Sequence, residues 1–247
     1  MLVERTLIRR ELGCVFYGNG LPEDQAHALL THAADRGVTF WDTSNRYGKS
    51  EKVLGKWFAK TWRRSDILLA TKTSGYIHEQ AAQSLKNPQT DYIDLYYQHR
   101  VESALRSKTL RPYVEAGTVR WIGLSECSAD HLRRARAIPG PFEPENENSG
   151  VLDAARELGV GVVAYSPLGS GEYKSRDDFG PGDMRYYIPR FSDEQIPKTL
   201  ALAAKFLAVA DRYGATPGQA ALAWILAEHP DFTVEFDSIP LSEWKGE

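Results

Sequence analysis

Val38-Thr39-Phe40-Trp41-Asp42 is a β-branched and aromatic run that stops on a carboxylate, and two later stretches repeat its form. Ile67-Leu68-Leu69-Ala70-Thr71 runs into Lys72, and Tyr92-Ile93-Asp94-Leu95-Tyr96-Tyr97-Gln98 runs into His99. Short apolar runs with little alternation suit strands that are covered on both faces of a parallel sheet. In a parallel barrel the catalytic groups come from the carboxyl ends of several strands and the loops after them. An ionisable side chain at the end of each run therefore converges on one rim. Tyr47, in the loop after Asp42, joins Asp42, Lys72 and His99 there.

Working outward, further runs at Val119–Leu124 and Val160–Tyr165, with an early strand over Leu12–Tyr17, bring the strand count to six. Helical patterns lie between most of them. Ala26, Leu29, Leu30 and Ala33 share one helix face, with Pro22 near its start and Gly37 past its end, where those residues belong. Leu54, Trp57 and Phe58 form the inward face of a second helix, and Val151, Ala155 and Leu158 that of another. Leu202, Phe206, Val209 and Tyr213 repeat the period up to Gly214. Thr216-Pro217 opens a last helix as N-cap and first turn, with Leu222, Trp224, Ile225 and Leu226 in it. Trp57, Phe58 and Trp224 read as core. Repeated strand-then-helix order predicts an α/β fold, a (β/α)8 TIM barrel, with residues 1–247 as a single barrel domain.

A full barrel needs eight strands, so the sixth and the eighth are where it is incomplete or irregular. The stretch Pro139 to Gly150 is too polar and proline-rich for a buried strand. Near the end, Phe232-Thr233-Val234-Glu235-Phe236 offers one short strand. Gly169 to Pro197 reads as a long loop over the carboxyl-end rim.

The composition narrows the function. A formal net charge of -3 and 42% hydrophobic content over 247 residues describe a chain able to bury a substantial core. Arg63-Arg64 and Arg133-Arg134 alternate with apolar residues as an exposed helix face does, and no basic stretch tracks phosphates, which argues against nucleic acid as a partner. No apolar run approaches the ~18 residues that span a bilayer, and Met1 to Arg10 alternates charge with aliphatics, so the expectation is a cytoplasmic protein with no membrane partner. Cys14 and Cys127 stand alone, without a CxxC, and read as reduced thiols with no metal site. The remaining histidines, His27, His32, His78, His131 and His229, fall on helices or their ends and read as solvated. Nothing in the sequence points to an oligomeric state.

The rim residues define a chemistry. A phenol with a pKa near ~10 is a weak acid at neutral pH, and a close ammonium stabilises its phenolate. Lys72 is the ammonium for Tyr47, Asp42 holds Lys72 charged and oriented, and His99 donates to a substrate oxygen. Together they make a proton donor beside a carbonyl. Side chains carry no hydride, so carbonyl reduction needs a nicotinamide cofactor. The chain has no Gly-x-Gly-x-x-Gly after a strand, which argues against a Rossmann mode of binding it.

Asp42-Thr43-Ser44-Asn45-Arg46-Tyr47-Gly48 resembles the Asp-Thr-x-x-x-Tyr-Gly signature of the aldo-keto reductase family. Ala70-Thr71-Lys72, Asp91 to Arg100, Ile122-Gly123-Leu124-Ser125-Glu126 and Ala164-Tyr165-Ser166-Pro167-Leu168-Gly169 resemble that family's other strand ends, in the same order. The likeness runs from about Leu12 through Pro230 and is nearest the microbial and plant branch of pyridoxal reductase-like and aryl-alcohol-type enzymes. It implies a barrel that binds extended NADP(H), with Tyr47 as general acid, Lys72 and Asp42 as its tuning pair and His99 orienting a small-molecule carbonyl substrate. It also implies that Ser125, with Glu126 beside it, meets the nicotinamide carboxamide and that Tyr165 stacks on the ring. Ser166, Pro167, Leu168 and Gly169 would then approach the pyrophosphate through backbone groups.

The chain departs from the family pattern where it is abridged. The glycine-containing turn after Gly13-Cys14 and the helices after Lys72 and His99 are shortened. The sixth strand with its carboxamide-binding Gln is missing around Pro139 to Asn148, and an acidic segment, Phe232 to Ser238, stands where the family grips the adenosine 2′-phosphate. The primary expectation is an NADPH-dependent reductase of aldehydes or ketones. Its alternatives are a cofactor-binding regulatory relative with little catalysis, and a degenerate truncated product.

Overall fold

Strand registers decide the architecture, and they come from the computed structural model, which describes residues 10–14, 21–73, 77–98, 110–135, 138–139, 150–169, 179–180 and 183–237. The strands are β1 (Arg10–Gly13), β2 (Phe40–Ser44), β3 (Leu68–Thr73), β4 (Ile93–Gln98), β5 (Val119–Leu124), β6 (Ile138–Pro139), β7 (Val162–Ala164) and β8 (Phe232–Asp237). They form one sheet in the order β6-β5-β4-β3-β2-β1-β8-β7, with every pairing parallel. Each strand lies beside its neighbour in sequence. The two edge strands, β6 and β7, come within 8 Å of each other between Cα atoms, so the sheet curls back on itself as a (β/α)8 barrel does.

The helices are α1 (Glu23–Asp35), α2 (Ser50–Thr61), α3 (Ile77–Lys86), α4 (Arg111–Glu115), α5 (Ala129–Ala135), α6 (Val151–Leu158), α7 (Ile196–Arg212) and α8 (Pro217–Glu228). The chain divides into two compact units, Met1–Tyr165 with Asp231–Glu247, and Ser166–Pro230. The first holds the sheet and α1 to α6. The second holds α7 and α8.

Alternation along the strands sorts the first unit into layers. Phe40, Ala70, Leu95, Tyr97 and Val163 point inward and fill the barrel. Asp42 on β2 and Lys72 on β3 have the same parity as Phe40 and Ala70, which turns both toward that interior. On the outer face Trp41 and Leu69 pack with Leu30, Leu54, Trp57 and Phe58 from α1 and α2. Trp57 is fully buried, edge-on to Trp41 at 4.7 Å between ring centroids, and its Nε1 donates to Thr31 Oγ1 at 2.9 Å. A buried aromatic of this size contributes on the order of 2 kcal/mol or more through its area alone, and the satisfied N–H removes the penalty of hiding it. A β-carbon at Gly55 on α2 would stand 2.5 Å from the Asn87 carbonyl oxygen, so glycine there lets the end of α3 close against α2.

Several expectations are corrected. The sixth strand is not missing but reduced to two residues just before the polar stretch, Ile138–Pro139, paired with β5 alone. Proline cannot donate to a ladder and sits at the last position of an edge strand, where no donor is required. The eighth is regular: β8 pairs with β1 on one side and β7 on the other. Arg64 does not belong to an exposed helix face. It lies in a short 3-10 turn, Arg64–Asp66, and its guanidinium bonds Asp94 Oδ2, the carbonyls of Ile67 and Tyr92, and Thr90 Oγ1. Asp94, itself 3% exposed, also accepts from the Leu69 N–H and from Arg120, and both guanidinium carbons stand 4.1 Å from the Tyr92 ring centroid. His27 is engaged as well, with Nε2 3.1 Å from the Val53 carbonyl, and His229 is buried.

The second unit carries the clearest reversal. Leu202, Val209 and Tyr213, expected inward, are 66%, 46% and 81% exposed, and the buried face of α7 is Ile196, Ala203 and Ala210. Trp224 on α8 is also exposed, while Leu222 and Ile225 are buried as expected. The start of α8 follows the sequence reading: Thr216 accepts from the Gln219 N–H, Gln219 Oε1 accepts from the Thr216 N–H, and Pro217 fills the first turn. The stretch read as a long loop holds two short 3-10 helices, Met184–Tyr187 and Pro189–Phe191, around a cluster of Phe179, Phe191 and Ile196. Asp183 there is held at about 2 by its hydrogen bonds from Arg185, first the side chain and then the backbone N–H.

Candidate active site

The loop between β2 and α2 owes its shape to the end of β3. Ser44 Oγ and the Asn45 N–H both donate to the Lys72 carbonyl at 3.1 Å, and the Arg46 N–H donates back to Ser44 Oγ at 3.1 Å. The Tyr47 N–H then donates to the Ser44 carbonyl, and the Ser50 N–H to the Tyr47 carbonyl, each at 3.0 Å. Asn45 Nδ2 reaches Gln80 Oε1 on α3 at 2.8 Å. Tyr47 thus sits on a turn that is pinned to the backbone of Lys72. Thr43 and Ser50 fasten the base of α2 from behind, Thr43 Oγ1 donating to Ser50 Oγ and Ser50 Oγ to the Cys14 carbonyl, both at 2.8 Å.

Lys72 is 2% exposed and Asp42 is fully buried, and Lys72 Nζ is ion-paired with Asp42 Oδ1. The same ammonium stands 5.3 Å from the centroid of the Tyr47 ring and 5.7 Å from that of Tyr97. Burying two charges is costly unless they are paired, and here each is the other's partner in a low-dielectric interior. Asp42 Oδ2 is buried and makes no hydrogen bond among the described residues, so the carboxylate is not fully consumed by the pair. A buried cation beside a phenol is an arrangement that favours the phenolate and so eases loss of the phenolic proton.

Of the residues singled out from sequence, the structure brings together Asp42, Tyr47 and Lys72. His99 lies outside the described residues. Ser125 follows β5, is 3% exposed, and its N–H donates to the Gln98 carbonyl at 3.0 Å; Glu126 after it is exposed and has a φ of 50°. Tyr165 follows β7 and is half-buried. Ser166 to Gly169 open the second unit as a tight turn, with φ of 51° at Ser166 and 57° at Gly169 and the Gly169 N–H on the Ser166 carbonyl at 3.0 Å. A side chain at Gly218, in the first turn of α8, would meet Leu168 at 3.5 Å. Sequence reasoning missed Tyr97: its parity with Leu95 follows from alternation, but its place across from Lys72 comes only from the strand register. Among the described residues no group of three or more His, Cys, Asp or Glu side chains is placed to hold a metal, and no helix is long and apolar enough to cross a membrane.

Comparison with known proteins follows the same lines. Aldo-keto reductase str7 of Strobilurus tenacellus is 42% identical over 248 residues, covering 89% of this chain and 74% of that protein. An aldo-keto reductase of Schizosaccharomyces pombe, yakc, whose name carries NADP(+), is 41% identical over 246 residues, covering 85% and 72%. Among solved structures, the glycerol dehydrogenase AKR11B4 of Gluconobacter oxydans superposes with a TM-score of 0.79 at 25% identity, over 93% of this chain and 82% of that one. An aldo-keto reductase of Klebsiella pneumoniae, solved in complex with NADPH, shares the fold at a TM-score of 0.73 and 22% identity, over 93% and 80%. The sequence pattern of the Aldo/keto reductase family matches residues 12–240. Because that match takes in every strand from β2 to β7 and the whole loop that carries Tyr47, the chain belongs to the aldo/keto reductase family.

Proposed function

We propose that this protein is an NADPH-dependent reductase that converts an aldehyde or ketone to the alcohol, with residues 1–247 acting as one catalytic domain. The observation that carries the reading is the buried Lys72 ammonium, ion-paired with Asp42 and set 5.3 Å from the Tyr47 ring centroid. The NADP(+) in the name of a relative 41% identical to this chain supports the choice of cofactor. The motif likeness supports reading it as a member of the pyridoxal reductase-like and aryl-alcohol-type branch.

In this reading the Tyr47 hydroxyl gives its proton to the carbonyl oxygen as that oxygen takes on negative charge. Lys72 stabilises the phenolate left behind, and Asp42 keeps Lys72 charged and aimed. His99 donates a hydrogen bond to the same oxygen and orients it. A bound nicotinamide supplies the hydride that side chains lack. The residues present fit such a group: the buried Ser125 at the end of β5 offers a hydroxyl and Tyr165 at the end of β7 a ring. The positive φ values at Ser166 and Gly169 bend the backbone as a close approach to phosphate requires. By the family likeness, Ser125 and Glu126 would serve the carboxamide end of that group, Tyr165 its ring, and Ser166, Pro167, Leu168 and Gly169 its pyrophosphate.

Titration of the purified protein with NADPH and with NADH, read by tryptophan fluorescence and by thermal unfolding in the same samples, tests the cofactor half. The expected result is micromolar NADPH affinity with a raised Tm, since a ligand that binds only the folded state stabilises it. Absence of binding in both signals contradicts the reading.

A further inference from the structure

Lys72 on β3, Tyr97 on β4 and Gly123 on β5 stand at one level across three adjacent strands. A β-carbon at Gly123 would lie 2.1 Å from Tyr97 Cδ1 and 2.3 Å from its Cε1, far inside any tolerable carbon–carbon contact. The Tyr97 ring therefore lies across the backbone of β5, in the space that a side chain at position 123 would fill. The φ of Gly123 is not in the left-handed region, so glycine is required there for room and not for backbone freedom.

That seat fixes where the ring goes. Tyr97 is fully buried among Phe40, Ala70, Leu95 and Val163, with the Lys72 ammonium 5.7 Å from its centroid. A lysine head rides on a flexible four-carbon stem and does not hold its own position. Here its position is bounded by the Asp42 carboxylate, the Tyr47 ring and the Tyr97 ring. A ring within about 6 Å of a cation attracts it, and a filled interior on that side keeps water from screening it. The coupling between an ammonium and a phenol falls with both distance and screening, so whatever fixes the ammonium also sets the acidity of the phenol.

We propose that Tyr97, seated by the bare backbone of Gly123, is a positioning residue that holds Lys72 against Tyr47 and thereby sets the acidity of the Tyr47 hydroxyl. This rests on the reading of Tyr47 as proton donor. A residue that only filled the core would change stability when altered and leave the Tyr47 titration where it was.

The test is a pH titration followed by NMR on protein carrying tyrosine labelled with 13C at Cζ, the Tyr47 resonance being assigned by its loss in Tyr47→Phe. Tyr47 is expected to ionise below the ordinary phenol range. Tyr97→Leu and Gly123→Ala are each expected to raise its midpoint by about one unit or more. Tyr97→Phe, which keeps the ring, is expected to leave it in place. The double variant Gly123→Ala/Tyr97→Leu, in which the smaller side chain makes room for the methyl, is expected to titrate like Tyr97→Leu alone. The proposal is overturned if Tyr47 titrates alike in the parent and in folded Tyr97→Leu, or if Tyr97→Phe moves it as far as Tyr97→Leu does. Carbonyl reduction by the same proteins separates the two readings. A shifted titration with no reduction of any carbonyl retains the positioning role and removes the reductase; reduction that depends on Tyr47, with an unshifted titration, removes the positioning role alone.

Discussion

Tyr96 and Tyr97 are consecutive, both fully buried, and turned to opposite faces of β4, so one strand gives Tyr97 to the barrel interior and Tyr96 to the layer beneath α3. Burial pushes the Tyr96 hydroxyl up to about 12. The Thr73 and Ser84 hydroxyls lie near enough to offset part of that rise, yet among the described residues none of the three oxygens has an aligned hydrogen-bond partner. A group whose folded pKa is raised costs no stability below its unfolded value of 10.0, and the folded state loses ground as pH climbs from there toward 12. Chemical unfolding between pH 10 and 12 is therefore expected to show stability falling by on the order of 2 kcal/mol from this residue, and Tyr96→Phe to remove that share of the slope. Legibility at this scale was uneven. Asp42 and Lys72 could be singled out because each is an ionisable group ending an apolar run, and Tyr47 because it is a phenol in the loop that follows. Tyr97 and Gly123 could not, because an aromatic in an apolar run and a glycine in a strand acquire meaning only when the register sets one against the other.

The elements divide by whether their apolar residues say which way they face. In α2 the bulk of Leu54, Trp57 and Phe58 left a single orientation, and the Thr216-Pro217 start of α8 was local chemistry that tertiary contacts did not override. In α7 the spacing of Leu202, Phe206, Val209 and Tyr213 fixed a shared face but not its direction, and the helix buries its alanines instead. Lysine at Leu202 or Val209 is accordingly expected to change stability in a denaturant titration by no more than about 0.5 kcal/mol, where a core stripe would lose several. The starts of β3, β4 and β5 are tied by Asp94 with Arg64 and Arg120. Removing one partner of a buried ion pair leaves the other charge uncompensated, so Asp94→Ala is expected to cost about 3 kcal/mol or more in the same titration and to leave kcat close to its parent value, because the network sits at the end of the strands away from Lys72. Sequence reading placed Arg64 on an exposed helix face because Arg63-Arg64 alternates with apolar residues; its partial burial goes with a carboxylate 30 residues later in the chain and could not be seen locally.

At the scale of the molecule, strand-helix alternation was enough to anticipate a parallel barrel, and the two doubtful strands resolved differently. The sixth is present as Ile138–Pro139, paired with β5. The eighth is regular because Phe232-Thr233-Val234 finds β7 and β1 on either side. A ladder in which each strand lies beside its sequence neighbour brings the carboxyl ends of β2, β3, β4 and β5 together, and this order gathers residues that are scattered from 42 to 125 in the chain. The most direct measurement is the rate of NADPH oxidation by a panel of aldehydes and ketones, for the parent protein beside Tyr47→Phe and Lys72→Met. The account predicts turnover by the parent and a loss of ~100-fold or more in both variants, with each still binding NADPH. A parent protein that binds NADPH and reduces no carbonyl, or variants that turn over as fast as the parent, would contradict it.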